Sequence, residues 1–85
     1  MEIEFTKQAH KDLEFWKKSG NKAVQKKISE LLEDILQHPF QGIGKPEQLK
    51  HTLAGSWSRR INTEHRIVYE VIDETIFIES LKGHY

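Results

Sequence analysis

The stretch W-S-R-R-I-N-T-E-H-R-I-V-Y, from Trp57 to Tyr69, decides the fold of this chain. Two apolar-flanked segments lie on either side of the short polar run 62–64, and this pattern predicts a β-hairpin. The hairpin contains every arginine of the protein, namely Arg59, Arg60 and Arg66. Because the planar guanidinium group suits phosphate better than the lysine ammonium does, the hairpin is expected to bind phosphodiesters.

The segments around the hairpin predict a single α+β domain over residues 1–85. Helical spacing of apolar residues predicts one helix from Thr6 to Lys18 and a second between the capping residue Asn21 and Pro39. Period-two alternation predicts strands over 2–5, 56–61, 65–72 and 75–81, with Leu49 to Leu53 as a weaker candidate. The predicted order is β-α-α-β-β-β, with room for one extra short strand. Two helices would cover one face of a small antiparallel sheet and leave the other face for a ligand.

The composition bounds the class of protein. The 85 residues include no cysteine, which fits a reducing compartment and excludes thiolate metal sites. The N-terminus lacks the apolar run of a signal peptide, and no stretch approaches the roughly 20 apolar residues of a membrane span. We therefore expect a cytoplasmic location. The formal net charge is zero, but from Lys45 to Tyr69 five basic residues stand against two acidic ones. This local patch is compatible with nucleic-acid binding.

The hairpin register has two alternatives. A two-residue turn at Thr63-Glu64 would put Arg66 on the face of Arg59, whereas a three-residue loop would place Arg66 opposite Arg60. A slip of one residue exchanges the two faces of a strand. The sequence leaves this choice open.

Cleaving RNA without a metal requires a base for the 2′-OH, a cation for the phosphorus oxygens and an acid for the leaving 5′-oxygen. Glu47 is the candidate base, since it lies on a Gly/Pro-stiffened loop between two lysines. Arg66 is the candidate phosphate clamp. His84 is the candidate acid, because the neighbouring chain terminus favours a protonated imidazole.

Further residues are assigned to substrate binding. Lys50 and Arg60 would assist the clamp, and Tyr85 would orient phosphate or stack on a base. Each of these residues has a purely structural alternative, such as a surface carboxylate, a salt bridge or an unconstrained chain end. The five histidines lack paired metal-ligand spacing, so we expect no metal site, and the family resemblance described next implies no cofactor.

Several motifs resemble the YoeB/Txe toxins of the RelE/ParE toxin superfamily. They are G-x-G-K-P-E-x-L-K-H at 42–51, G-x-W-S-R-R-I at 55–61, E-H-R-I-V-Y at 64–69 and the terminal G-H-Y. They follow in order along nearly the whole chain. One departure is the ending Lys82-Gly83-His84-Tyr85, where YoeB-type members have Arg-Tyr-His-Tyr. Gly83 adds backbone freedom just before His84, and Lys82 loses the bidentate fork.

The resemblance implies ribosome-dependent mRNA cleavage at the A site, leaving a 2′,3′-cyclic phosphate and a 5′-hydroxyl. It gives Glu47, Arg66 and His84 the roles of base, clamp and acid, places Tyr85 in the site, and has Lys50 and Arg60 in support. It also implies a YefM-like or Axe-like antitoxin, a homodimer, and contact with operator DNA only as a toxin–antitoxin complex. Two alternatives are a ParE-like gyrase poison without enzymatic activity and a non-catalytic RNA-binding module.

Overall fold

The computed structural model of the chain describes residues 1–83. Its elements are β1 (Glu2–Phe5), α1 (Lys7–Ser19), α2 (Lys22–Gln37), β2 (Glu47–Gln48), β3 (Ser56–Arg60), β4 (Arg66–Ile72) and β5 (Thr75–Ser80). The strands form one sheet in the order β1-β5-β4-β3-β2. The predicted α+β class, with two N-terminal helices packed on a small sheet, is confirmed.

Local capping chemistry sets the ends of both helices, as the sequence predicts. The Thr6 hydroxyl accepts a hydrogen bond from the backbone N–H of Ala9 at the start of α1, and the Asn21 side chain accepts one from Val24 at the start of α2. Gly20 ends α1 in the left-handed conformation, with φ of 72°. Side-chain acceptors satisfy backbone N–H groups that have no partner within a helix, so these ends are defined by residues close in sequence.

The sheet is mixed rather than wholly antiparallel, which corrects one detail of the prediction. β1 pairs with β5 in parallel, with Ile3 opposite Ile76, while every other pairing in the described sheet is antiparallel. A parallel pair needs a long connection, and here all elements between the first and last strands supply it. The alternation within β1 is the same for either direction of its partner, so the local pattern did not distinguish them.

The weak strand predicted from Leu49 to Leu53 is wrong. Residues 51–53 form a 3₁₀ turn, in which the N–H of Leu53 donates to the carbonyl of Lys50 at 3.2 Å. His51 has a φ of 61°, which lies outside the strand region. The extra strand instead consists of Glu47 and Gln48 at the edge of the sheet.

The hydrophobic core lies between the helices and one face of the sheet. Apolar side chains of α1 and α2 meet those of β4 and β5 there, and the buried members are Ala9, Trp16, Val24, Ile28, Leu31, Ile35, Ile61, Ile67, Tyr69, Ile76, Ile78 and Leu81. No helix in the described part of the chain is long and apolar enough to span a membrane.

The hairpin has a three-residue loop, so the second of the two registers is the one adopted. Arg60 lies opposite Arg66, and Ile61 donates its backbone N–H to the carbonyl of His65 at 2.9 Å. The Asn62 side chain closes the loop by accepting from the N–H groups of Glu64 and His65. Because directly opposite residues share a face, Arg60 and Arg66 lie together.

Candidate functional site

The face of the sheet opposite the helices brings Arg66 and Glu47 together. Glu47 in β2 pairs with Ser58 in β3, and Ser58 lies two residues from Arg60, the partner of Arg66. The Nη1 atom of Arg66 lies 3.9 Å from Oε2 of Glu47 and donates to Oγ of Ser58 at 3.4 Å. The side chain of Arg66 is 19% exposed and that of Glu47 is 63% exposed. The carboxylate is therefore open to a ligand, while the guanidinium group is partly held from behind.

A buried arginine organises the loop that leads into Glu47. Arg59 is fully buried and faces α2, where its guanidinium group binds the carboxylate of Asp34. The same group donates to three carbonyl oxygens between α2 and β2, those of His38, Gln41 and Ile43. One side chain thus fixes the path of residues 38–43. This ordered loop leads into the two-residue edge strand that contains Glu47.

The electrostatics around Arg59 favour this arrangement. The Arg59 hydrogen bond holds the pKa of the Asp34 carboxyl below its ordinary value of 3.8, although partial burial opposes the effect. Burial raises the pKa of the Tyr69 phenol above its ordinary value. The protonated Tyr69 hydroxyl accepts from Nε of Arg59 at 3.1 Å and donates to the carbonyl of Pro39 at 2.6 Å. Asp34, Arg59 and Tyr69 therefore form one polar network under the loop.

Gly44 allows this loop to approach the sheet closely. The carbonyl of Gly44 accepts the backbone N–H of Arg60 at 2.7 Å, which continues the β2–β3 edge. A Cβ atom at this position would lie 2.7 Å from a methyl group of Leu31 and 3.1 Å from Cβ of Arg59. Its φ of 79° also favours glycine. The loop therefore sits against both the sheet and α2 at this point.

The last described residue, Gly83, lies beside Arg66. The carbonyl of Gly83 accepts the backbone N–H of Arg66 at 3.1 Å, and its own N–H donates to Nδ1 of His65 at 3.0 Å. The φ of Gly83 is 101°, a conformation that residues with a side chain rarely adopt. His84 and Tyr85, the predicted acid and its neighbour, lie outside the described residues.

Helix α1 holds the segment that leads to Gly83. Asp12 accepts the backbone N–H of Leu81 at 2.9 Å, and the indole N–H of Trp16 donates to the Leu81 carbonyl at 2.8 Å. The ring of His65 packs edge-on against Trp16, with centroids 4.9 Å apart. The ammonium group of Lys82 lies 4.0 Å from the centre of the Phe15 ring. These contacts attach the chain after β5 firmly to the rest of the fold.

The two predicted supporting cations, Lys50 and Arg60, each neighbour one member of the Glu47–Arg66 pair. Lys50 is exposed just before the 3₁₀ turn, where it lines with Glu47 a cavity of about 290 Å³. Arg60 is exposed opposite Arg66. Within residues 1–83, no group of three or more His, Cys, Asp or Glu side chains is placed to hold a metal ion. The described part of the site consequently offers one carboxylate and several cations, which suits proton transfer and phosphate binding.

Comparison with known proteins decides the family. A model of the YoeB-like toxin of bacterial type II toxin-antitoxin systems matches residues 5–85. The chain belongs to the YoeB-like toxin family. It is 44% identical to Toxin YoeB of Escherichia coli K12 over 85 residues, and the match covers the whole of both chains.

Solved structures of YoeB toxins share this fold. The toxin in the YoeB–YefM complex from Staphylococcus aureus is 49% identical, with a TM-score of 0.88, over 100% of this chain and 98% of that one. The YoeB dimer from the same organism is 48% identical, with a TM-score of 0.89 and the same coverage. The bound antitoxin and the dimer are features of the Staphylococcus aureus structures.

Sequence reasoning missed three residues that shape the candidate site. Ser58 binds Arg66 from behind, His65 binds Gly83, and Arg59 organises the loop before Glu47. The alternation of β3 offered a signal for Ser58, since a small polar residue two positions from Arg60 shares its face. No local signal distinguished Arg59 from Arg60, because the hairpin register decides which of the two arginines shares a face with Arg66.

Proposed function

We propose that the chain is an endoribonuclease toxin that cleaves mRNA by general acid–base catalysis without a metal or cofactor. Glu47 acts as the base, Arg66 stabilises the phosphorane-like transition state, and His84 acts as the acid. Lys50, Arg60 and Tyr85 bind the RNA around the scissile linkage. Cleavage takes place on translated mRNA in the ribosomal A site and thereby inhibits translation in the cytoplasm.

The reaction balances with these groups alone. The Glu47 carboxylate takes the proton of the 2′-OH, and the 2′-oxygen attacks phosphorus. The bond from phosphorus to the 5′-oxygen breaks, and the His84 imidazolium gives its proton to that leaving oxygen. The products are a 2′,3′-cyclic phosphate and a 5′-hydroxyl. Arg66 contributes by matching the charge that builds on the two non-bridging oxygens.

One observation carries this proposal: three separate segments meet at Arg66. The edge strand brings the Glu47 carboxylate to within 3.9 Å of the guanidinium group, and Gly83, the residue before His84, bonds to the Arg66 backbone. An in-line phosphoryl transfer requires a base and an acid on opposite sides of phosphorus, and a cation near both supports that arrangement. The 19% exposure of Arg66 reduces the competition of water for that charge.

The partners follow from the relatives. A YefM-like or Axe-like antitoxin is proposed to neutralise this toxin by folding its C-terminal segment over the site, a mode open to disordered segments. The Staphylococcus aureus structures support both this partner and a homodimer. Operator DNA would be bound only by the toxin–antitoxin complex.

Primer extension on translated mRNA tests the proposed function. The wild-type protein is expected to produce discrete cuts with 2′,3′-cyclic phosphate ends, and EDTA is expected to leave them unchanged. A C-terminal tag should impair cleavage more than RNA binding, because it extends the chain next to His84. Growth arrest with intact mRNA and DNA damage signalling would instead favour a gyrase poison.

Replacing Arg66 by alanine is expected to lower single-turnover cleavage by on the order of 10²- to 10³-fold, the typical cost of one preorganised transition-state donor. Arg66→Lys retains the charge but loses the planar fork, so its rate should fall between the two. Equal rates for Arg66→Ala and the wild type would remove Arg66 from the transition state.

Removing the hydrogen bond between His65 and Gly83 is expected to lower cleavage by roughly 10- to 100-fold, the range that misplacement of a reacting group produces. His65→Phe keeps a ring against Trp16 but lacks the Nδ1 acceptor, whereas His65→Asn offers an oxygen acceptor and should restore part of the rate. Faster exchange of the Gly83 amide, measured by NMR, should accompany the loss. If that exchange rises while cleavage is unchanged, the position of the chain end does not matter for the reaction.

A further inference from the structure

A basic pocket lies beyond Arg66 at the loop end of the β3–β4 hairpin. It has a volume of about 360 Å³ and brings together Lys27 of α2, Lys45 of the loop before β2, and Arg60 at the end of β3. Asn62 and Thr63 of the hairpin loop complete its polar wall. No Asp or Glu of the described chain lines it, so the three cations set the sign of its potential.

The cations of this basic pocket have no protein partner among residues 1–83. None of them forms an ion pair or a side-chain hydrogen bond there, although Arg59 and Arg66 both do. Arg60 also lies directly opposite Arg66, and like charges facing each other across two strands are destabilising. Glu47 offsets the charge of Arg66, but no carboxylate of the described chain offsets those of the three pocket cations. Uncompensated charges gathered around one pocket point to an anion supplied from outside.

The backbone presents these cations in a fixed arrangement. Lys45 adopts a φ of 53°, a left-handed conformation that is uncommon for a residue with a side chain. The preceding Gly44 is bonded to Arg60 and packed against Leu31, so the position of Lys45 relative to β3 is set. Lys27 is half-buried, whereas its neighbour Lys26 is exposed. Backbone strain held by surrounding contacts is a frequent feature of binding sites.

The basic pocket continues the site already described. Arg60 contributes to both, because it lies opposite Arg66 and also lines the pocket. Residues two apart on a strand are separated by about 7 Å, so Arg60 is about that far along β3 from Ser58, which binds Arg66. A chain of phosphates that occupies the site at Arg66 can thus continue past Arg60, around the loop end of the hairpin, into the pocket on the side of α2.

We infer that the basic pocket binds a backbone phosphate of the RNA substrate next to the scissile linkage, with Lys27 and Lys45 as ligands not assigned by the catalytic proposal. This inference rests on the proposed function for the identity of the anion. Phosphate contacts of this kind hold the substrate in register without reading its sequence. Lys27 and Lys45 therefore act in binding and not in the chemical step.

The test compares Lys27→Ala/Lys45→Ala with Lys22→Ala/Lys26→Ala, a pair that removes the same charge from exposed positions of α2. Binding of a fluorescent single-stranded RNA is measured in a Glu47→Gln background, so that cleavage does not consume the probe. The pocket pair is expected to bind about 2- to 30-fold more weakly, on the order expected for two exposed charge pairs. For the pocket pair, the slope of log affinity against log salt concentration should become less steep by about 0.7 for each phosphate that the protein no longer neutralises.

Kinetics separate this inference from the proposed function. With Glu47 intact, the pocket pair should raise KM and leave kcat within about twofold, because uniform binding is lost. Unchanged RNA affinity and salt slope relative to the control pair would overturn the inference even if cleavage is confirmed. If the pocket pair weakens RNA binding but the wild-type protein does not cleave RNA, the binding inference is supported and the proposed ribonuclease activity is rejected. Loss of affinity for poly-glutamate alone would assign the pocket to an acidic protein segment and overturn the RNA proposal.

Discussion

Glu47→Gln and His84→Gln are each expected to lower the cleavage rate by about 10²- to 10⁴-fold, the usual contribution of a general base or acid. Glutamine at 47 keeps the size and the contact with Arg66 but cannot take a proton from the 2′-OH. Glutamine at 84 cannot give a proton to the leaving 5′-oxygen. Single-turnover cleavage of translated mRNA measures both losses.

The pH dependence distinguishes the two roles. A bell-shaped profile reports one group that must be deprotonated and one that must be protonated. Glu47→Gln should remove the acidic limb, and His84→Gln the basic limb. Glu74→Gln, an exposed change of the same kind in the turn between β4 and β5, is the control and should leave the rate unchanged. If Glu47→Gln and His84→Gln both cleave at the wild-type rate, the acid–base mechanism is rejected for this protein.

Arg59→Ala is expected to destabilise the fold by about 3–5 kcal/mol, the range for breaking a buried ion pair by removing one partner. The substitution leaves the Asp34 carboxylate without its guanidinium partner and strips a donor from three loop carbonyls. Since domains of this size unfold with about 5–15 kcal/mol, this is a large fraction of the total. Thermal melts should show a Tm lower by at least roughly 12 °C.

The adjacent arginine provides a matched control. Arg60→Ala removes the same side chain one residue away, but that side chain is exposed and unpaired within the described chain, so its effect on stability should stay within about 0.5 kcal/mol. Arg60 should matter for RNA binding instead. Equal losses of Tm in the two variants would mean that the buried network around Arg59 contributes nothing particular to the fold.

The pH dependence of stability provides a second control for the same network. Arg59 lowers the pKa of Asp34 below 3.8 in the folded state, so the ionised carboxylate stabilises the fold above that pH. This stabilisation is lost as the pH falls through the folded-state pKa. Asp34→Asn should therefore be less stable than the wild type at neutral pH, and the difference should shrink below about pH 4. A gap that stays constant down to about pH 2 would contradict this role of Asp34.

The features that the sequence predicted well depend on contacts between near neighbours. Thr6 and Asn21 cap the starts of helices through hydrogen bonds to residues three positions further on, and Gly20 ends α1 through its own φ value. The hairpin is likewise local, as is the two-residue turn that separates the predicted strands 65–72 and 75–81. The family motifs added functional roles that these local signals do not give. Glu47, for example, has no distinctive feature when it is considered by itself.

The features that the sequence missed depend on partners far along the chain. The parallel pairing of β1 with β5 joins the two ends of the fold, and His51 leaves the strand region within a turn that the alternation of Leu49 to Leu53 does not reveal. Gly83 was expected to add backbone freedom before His84. In the structure its N–H and its carbonyl are both hydrogen-bonded, and its φ of 101° is one that glycine adopts more readily than other residues.

From its sequence alone, this chain specified two helices, a β-hairpin that carries all its arginines, and the residues of a candidate ribonuclease site. Only the tertiary structure decided which arginine serves which purpose. A three-residue loop turns Arg59 toward α2 and Arg60 toward the side of Arg66, since each step along a strand reverses the face. The sequence pattern shows that successive strand residues alternate between the two faces. Which residue of one strand lies opposite which residue of its partner is decided only when the sheet forms.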